Sequence, residues 1–250
     1  MSEITLEELG VALPPTQDEL PCDDGIPIET QRHKVQMNLL IHSLLPWLDQ
    51  RSDGYASGNM FVYFSLAQVR NQDFRGPDFF AVLGVPKKER KSWVVWEEGK
   101  APDVVIELLS DSTAQADKNE KKLIYQNQLR VPEYFWFDPF NPNDWAGFFL
   151  KHGVYHPITP NAQNQLVSQS LGLALQHWQG TYEGVEATWL RWATLDGELL
   201  PTFEEQERQR AEQAQSLLQQ TIRNLLQEGM TVEQVARLTG LSQVQIEQFR

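Results

Sequence analysis

The chain has 250 residues, 41% of them hydrophobic and eight of them Trp, with a net charge of −13. That is enough apolar material for one substantial core plus an appendage, and it excludes a disordered chain. A single cysteine, Cys22, excludes an internal disulfide and a thiolate zinc cage.

No stretch approaches the roughly 18 consecutive apolar residues of a membrane span. The start of the chain is acidic where a signal peptide is basic and then apolar, so a cytoplasmic protein without a membrane partner is expected. The charge is unevenly placed. Residues 1–25 hold seven acids and no Lys or Arg, and the tail from Phe203 holds seven acids against five Arg, which leaves the middle at −4. Affinity for nucleic acid comes from Lys and Arg replacing counterions, so where the charge sits matters more than its sum. The middle contains a basic knot, Lys87, Lys88, Arg90 and Lys91. It reads as a solvated loop, the commoner fate of such runs, or as phosphate steering toward a nearby site.

In chain order, Pro14-Pro15 and Pro21 among acids make residues 1–25 an acidic N-terminal arm that docks or stays mobile. Val35, Leu39, Leu40, Leu44, Leu45 and Leu48 recur at three and four and predict a helix from Glu29 to Leu48. Gly54 to Gly58 reads as a loop, Met60 to Phe64 and Asp78 to Leu83 as strands, and Ser92 to Glu97 as a further sheet edge. Asp103 to Leu109 is apolar on both faces, which suits a central strand covered on each side. An acid at its middle, Glu107, then needs a cation or a partner. Ala116 to Leu129 reads as a helix and Arg130 to Asp138 as the next strand. Strand, helix, strand implies at least one parallel pair, so the fold class is α/β.

Trp145 to Leu150 and Val154 to Ile158, about Lys151-His152-Gly153, predict a hairpin. Tyr182 to Leu200, turning at Asp196-Gly197, predicts a second that completes a domain over residues 26–202. Beyond it, Ala211, Ala214, Leu218, Ile222 and Leu225 form a narrow apolar seam on a coiled-coil-like helix over 203–228. Two capping boxes, Thr231 to Gln234 and Ser242 to Gln245, open a helix-turn-helix-like pair over 229–250. The arm suggests a homodimer.

Two acids and a lysine carry the chemistry. If the strands of Asp78 and Glu107 are neighbours, both carboxylates can reach one Mg²⁺ or Mn²⁺, with the backbone carbonyl of Leu108 as a further ligand. Conventional sites of this kind set a lysine two residues after the second acid, but that position is Leu109. Lys121 on the following helix is then the candidate to orient or deprotonate the attacking water. Spacing alone favours a plainer fate, an i,i+4 pair of Lys121 with Asp117. Tyr125, one turn on, either meets a phosphate or finishes the core edge. The five histidines share no ligand spacing, and no phosphate loop, nucleophilic Ser or Cys context or dinucleotide fingerprint occurs.

Four ordered motifs carry a family likeness: Arg75-Gly76-Pro77-Asp78; Pro102 to Thr113 around Glu107; Asp117 with Lys121 and Tyr125; and Val131-Pro132-Glu133-Tyr134 through Pro139. Over roughly residues 26 to 200 the chain resembles the Uma-two family of restriction-endonuclease-like proteins, in the PD-(D/E)XK superfamily. The resemblance implies a restriction-endonuclease-like mixed central sheet flanked by helices, with metal ligands Asp78 and Glu107 and a migrated catalytic lysine at Lys121. It also implies Glu29 as an acid beside the metal. Asp111 departs from the family, which has proline there. The expected function is Mg²⁺-dependent hydrolysis of DNA phosphodiesters by a metal-activated water, with a catalytically silent binding or assembly module as the alternative. A third reading makes the tail the functional element, although its second helix is short and carries Arg250 as its one base.

Overall fold

The first helix is Gln31–Asp49, opened by Thr30, whose side chain accepts a hydrogen bond from the His33 amide. The computed structural model describes residues 13–22, 30–71 and 75–249. Glu29 lies outside them. The chain divides into two compact units between Thr202 and Phe203.

The first unit is built on a six-stranded sheet. Its strands are β1 (Tyr55–Ser57), β3 (Phe79–Val82), β5 (Val104–Leu108), β6 (Glu133–Phe137), β7 (Trp145–Lys151) and β8 (Val154–Ile158), in the order β1-β3-β5-β6-β7-β8. Only β5 and β6 pair in parallel; the other four pairings are antiparallel. The parallel pair is joined by a crossover helix over residues 114–129, which contains two π turns, Asp117–Lys121 and Tyr125–Leu129. The mixed α/β sheet flanked by helices is thus as expected.

Strand alternation separates two cores. Phe79, Ala81, Val104, Ile106, Phe135 and Phe137 meet Leu40, Leu44 and Leu48 of the first helix, together with Leu173, Leu175 and Trp192 of a second sheet. Phe80, Val82, Val105 and Tyr134 face the other way, under Tyr125 and Leu129 of the crossover helix. All five residues of β5 are buried, as a strand covered on both faces must be. Each of its four apolar side chains contributes about 1.5–3 kcal/mol through burial, which offsets the cost of holding Glu107 among them.

Several short elements differ from the sequence reading. The stretch Gly54 to Gly58 contains β1, an edge strand of the main sheet rather than a loop. The predicted strand Met60 to Phe64 shrinks to β2 (Val62–Tyr63), and Ser92 to Glu97 to β4 (Trp93–Val94) followed by a helical turn. These two pair with each other in parallel, apart from the main sheet. Elements of two or three residues are too short to show a period. The second hairpin also moves: β10 (Leu173–Tyr182) and β11 (Val185–Ala193) turn at Glu183-Gly184, where φ is 47° and 75°. That two-residue turn with both φ positive matches the strand twist. Asp196-Gly197 instead closes a small loop bridging Ala193 to Leu199. With β9 (Leu166–Ser168), these strands form the second sheet, in the order β11-β10-β9.

Residues 13–22 of the acidic arm lie against the small parallel sheet. Leu20 is buried with Phe61, Tyr63 and Val94, and the Trp96 indole donates to the Pro15 carbonyl at 2.8 Å. In the second unit a helix Phe203–Gln227 precedes Val232–Thr239 and Gln243–Glu247, with both capping boxes formed. Ile222, Val235 and Ile246 are its core.

Candidate metal centre

Asp78 ends the loop Arg75-Gly76-Pro77, which backbone bonds tie down: Val62 donates to Arg75 at 2.7 Å and Asn59 to Pro77 at 3.0 Å. Gly58 lies directly beneath. A Cβ at Gly58 would come within 2.2 Å of the Asp78 carbonyl oxygen, so only glycine allows this approach. The register of β3 with β5 pairs Phe79 with Ile106, and one further step sets Asp78 across from Glu107. Both side chains therefore project from the face covered by the crossover helix.

The groups around them are close. The Leu108 amide donates to Asp78 Oδ2 at 2.7 Å. A strand residue directs its N–H and C=O to the same side, so the Leu108 carbonyl also points toward the Asp78 edge. Glu107 is fully buried, with Tyr125 donating to Oε1 at 2.7 Å and Lys121 Nζ lying 3.2 Å from Oε2. Lys121 is also 2.7 Å from Asp117 Oδ1. The plain pair with Asp117 and the contact with Glu107 thus coexist. Tyr125 is a core residue whose hydroxyl meets a carboxylate.

Burial, first of all, pushes the Glu107 carboxyl above its usual range; Asp117 adds to the rise, while Lys121, Tyr125 and Asp78 oppose it. Burial alone would lower Lys121, but the Glu107 and Asp117 charges outweigh it and hold the amine well above its ordinary value. Tyr125 is raised by burial and by Glu107. Glu107 and Asp117 thus contact one ammonium group, and the charge of Asp78 also acts on it. The set is all oxygen and carries surplus negative charge, which suits a hard divalent cation. Asp78 and Glu107, with the Leu108 carbonyl, are the residues able to hold one. Among the described residues no cluster of three or more His, Cys, Asp or Glu forms a ready-made metal cage.

The remaining candidates lie elsewhere. Each member of the basic knot has an acidic partner: Lys87 with Asp49 at 3.5 Å, Lys88 and Arg90 with Glu98 at 3.0 and 2.8 Å, and Lys91 with Asp18 at 2.7 Å. It is a structural knot, not a bare cationic surface. His33 is buried and bridges Thr30 to the Leu109 carbonyl at 3.0 Å. Arg75, 3.4 Å from Glu120 of the crossover helix, is a cation that the spacing argument did not single out.

A family model described as "Putative restriction endonuclease" matches residues 6–179, well over half of the chain. The chain belongs to the Uma2 family. This is a family of nuclease type, so the substrate class is nucleic acid and the chemistry hydrolytic. Among solved structures, the chain is similar to a putative nuclease belonging to DUF820 from Anabaena variabilis, at 17% identity and TM-score 0.41, over 60% of this chain and 87% of that one. No curated protein sequence matches the chain. Among the described residues no helix is long and apolar enough to cross a membrane.

Proposed function

We infer that this Uma2 protein is a divalent-metal-dependent endonuclease cutting DNA, with Asp78 and Glu107 as metal ligands and Lys121 as the catalytic cation. One observation carries the reading: the two carboxylates face each other across β3 and β5, with the Lys121 amine 3.2 Å from Glu107. When bound, Mg²⁺ or Mn²⁺ supplies Lewis-acid charge and eases deprotonation of water. Asp78 and Glu107 hold and orient the cation, helped by the Leu108 carbonyl. Lys121, kept charged by two carboxylates, orients the attacking water and offsets charge developing on the phosphate oxygens rather than removing a proton. Tyr125 helps to orient the Glu107 carboxylate by donating to Oε1. Water attacks phosphorus and releases a proton to solvent, the bond to the leaving oxygen breaks, and that oxygen leaves with a proton from solvent.

Plasmid cleavage with Mg²⁺ or Mn²⁺ tests the assignment. Asp78→Ala and Glu107→Ala are each expected to lower the rate by roughly three powers of ten, the scale of losing several kcal/mol of metal-borne stabilisation. Cleavage indifferent to both changes overturns it. A second reading, a catalytically silent binding or assembly module, is favoured by the fact that both Glu107 oxygens already have protein partners. It predicts no heat of Mn²⁺ binding in calorimetry.

A further inference from the structure

Asp117 has no place in the metal centre as assigned, yet it is fully buried on the helix that supplies Lys121. A carboxylate taken out of water is costly unless it is paired and hydrogen-bonded. Among the described residues its oxygens have a single partner, Lys121 Nζ at 2.7 Å, a shorter contact than the 3.2 Å from the same amine to Glu107. Its backbone is held as well, because the Tyr134 hydroxyl on β6 donates to the Asp117 carbonyl at 2.8 Å. The backbone of Asp117 is therefore tied to the sheet independently of the lysine its carboxylate grips.

The local helix geometry points the same way. Asp117, Lys121 and Tyr125 are spaced by four, and an α-helix of 3.6 residues per turn would drift by about 40° at each step. A π turn spans Asp117–Lys121 and another begins at Tyr125. The wider first turn offsets the drift between Asp117 and Lys121 and keeps those two side chains on one face of the helix, and such turns recur at functional sites. A lysine is a point charge on a flexible four-carbon stem, and one carboxylate contact does not fix it.

We propose that Asp117 is a positioning residue: it holds the Lys121 ammonium by a contact separate from that to Glu107, so that the amine keeps its place beside the reacting phosphate when the Glu107 charge is shared with a bound cation. This rests on the nuclease reading above. It places Asp117 outside the ligand set, acting through Lys121 alone.

The test is a cycle of Asp117→Asn, Lys121→Met and the double variant, read in two ways. In Mn²⁺-supported cleavage, Asp117→Asn is expected to lower kcat by about 10- to 100-fold, the usual cost of losing an orienting partner. KM and the calorimetric Mn²⁺ affinity should stay within about threefold of the parent, and adding Asp117→Asn to Lys121→Met should cost nothing further. In thermal melting without metal, Asp117→Asn should lower Tm in the parent but raise it in Lys121→Met, where the carboxylate is left buried and alone. A purely structural Asp117 lowers Tm in both backgrounds.

Unchanged kcat, loss of Mn²⁺ affinity in step with kcat, or additive losses overturn the proposal. Should the Asn variant fail to fold, Asp117→Glu keeps the charge but displaces it, and the same fall in kcat at constant KM is expected. A parent protein that neither cleaves nor binds Mn²⁺ refutes the nuclease reading instead, and the melting cycle still decides whether Asp117 and Lys121 are coupled.

Discussion

Arg90 and Glu107 are both charges withdrawn from water, but their surroundings are opposite in balance. Arg90 holds Glu98 through two bonds of 2.8 and 2.9 Å, donates to the carbonyls of Lys88 and Pro86, and lies over the rings of Tyr55 and Trp93 at 4.6 and 4.9 Å. Lys88 adds a second cation to the same carboxylate. Every guanidinium nitrogen there has an acceptor, and the carboxylate it holds is already neutralised. Around Glu107 the cation in contact among the described residues is Lys121, with Asp78 and Asp117 nearby as well. The comparison teaches that burial of charge alone does not mark a functional site; an unbalanced sum does. A self-neutralised knot ties loops together, whereas a surplus of negative charge is what a cation site requires.

The largest expected effect breaks the balanced knot. Arg90→Met leaves Glu98 buried opposite Lys88 alone and should cost about 3–5 kcal/mol, the range for removing one partner of a buried pair. At roughly 2–4 °C per kcal/mol for a unit of this size, Tm should fall by about 10 °C in calorimetry. Below that Tm, cleavage and Mn²⁺ affinity should match the parent. A variant that melts normally but loses cleavage would restore the knot as a phosphate-steering surface.

Next in size is an intrusion beneath the unbalanced cluster. Gly58→Ala places a methyl 2.2 Å from the Asp78 carbonyl, a backbone atom that cannot swing away, with Met37 Cγ at 2.7 Å behind it. The overpacking should cost about 1–3 kcal/mol. Because the strain falls on the residue assigned as a ligand, Mn²⁺ affinity measured by titration calorimetry should weaken about tenfold, the equivalent of 1.4 kcal/mol. An alanine variant with parental affinity would separate Asp78 from the metal.

How far such a site can be read from residues alone depends on what each residue type signals. The sheet centre was legible because Val104 to Leu108 has no polar face, and an acid inside such a run is conspicuous. Asp78 was legible through the turn-forming Gly76-Pro77 before an apolar strand. Asp117 was not, since i,i+4 spacing from Lys121 is identical on a surface helix and on one laid over a buried glutamate. Only the tertiary placement of the crossover helix separates the two cases. The π turns leave no mark in composition. The knot shows a different limit: four basic residues in five positions read as a solvated loop or a steering patch, and composition does not reveal that Asp18, Asp49 and Glu98 come from three other segments to meet them. Edge strands of two or three residues had no period to detect, and Glu183-Gly184 is a weaker turn signal than the Asp196-Gly197 that competed with it.

The smallest effect is a difference in sign. Glu98 is held below the ordinary glutamate value, chiefly by its hydrogen bonds with Arg90, which outweigh the upward push of burial, with Lys88 assisting. Its stabilising contribution is therefore present above that ordinary value, 4.5, and lost as pH falls through the depressed folded value. Glu107 is raised, so in metal-free protein its contribution is complete below 4.5 and lost as pH rises through the folded value. Melting curves across pH should show Glu98→Gln flattening the acid side of the stability profile and Glu107→Gln flattening the side above it. Mn²⁺ should also remove the second slope. It binds the folded, ionised form and stabilises it by about 2.7 kcal/mol at a hundredfold excess over Kd. The acid slope, belonging to a cluster that has no use for a cation, should be unchanged by Mn²⁺. If both slopes respond alike to the metal, the distinction between the two clusters fails.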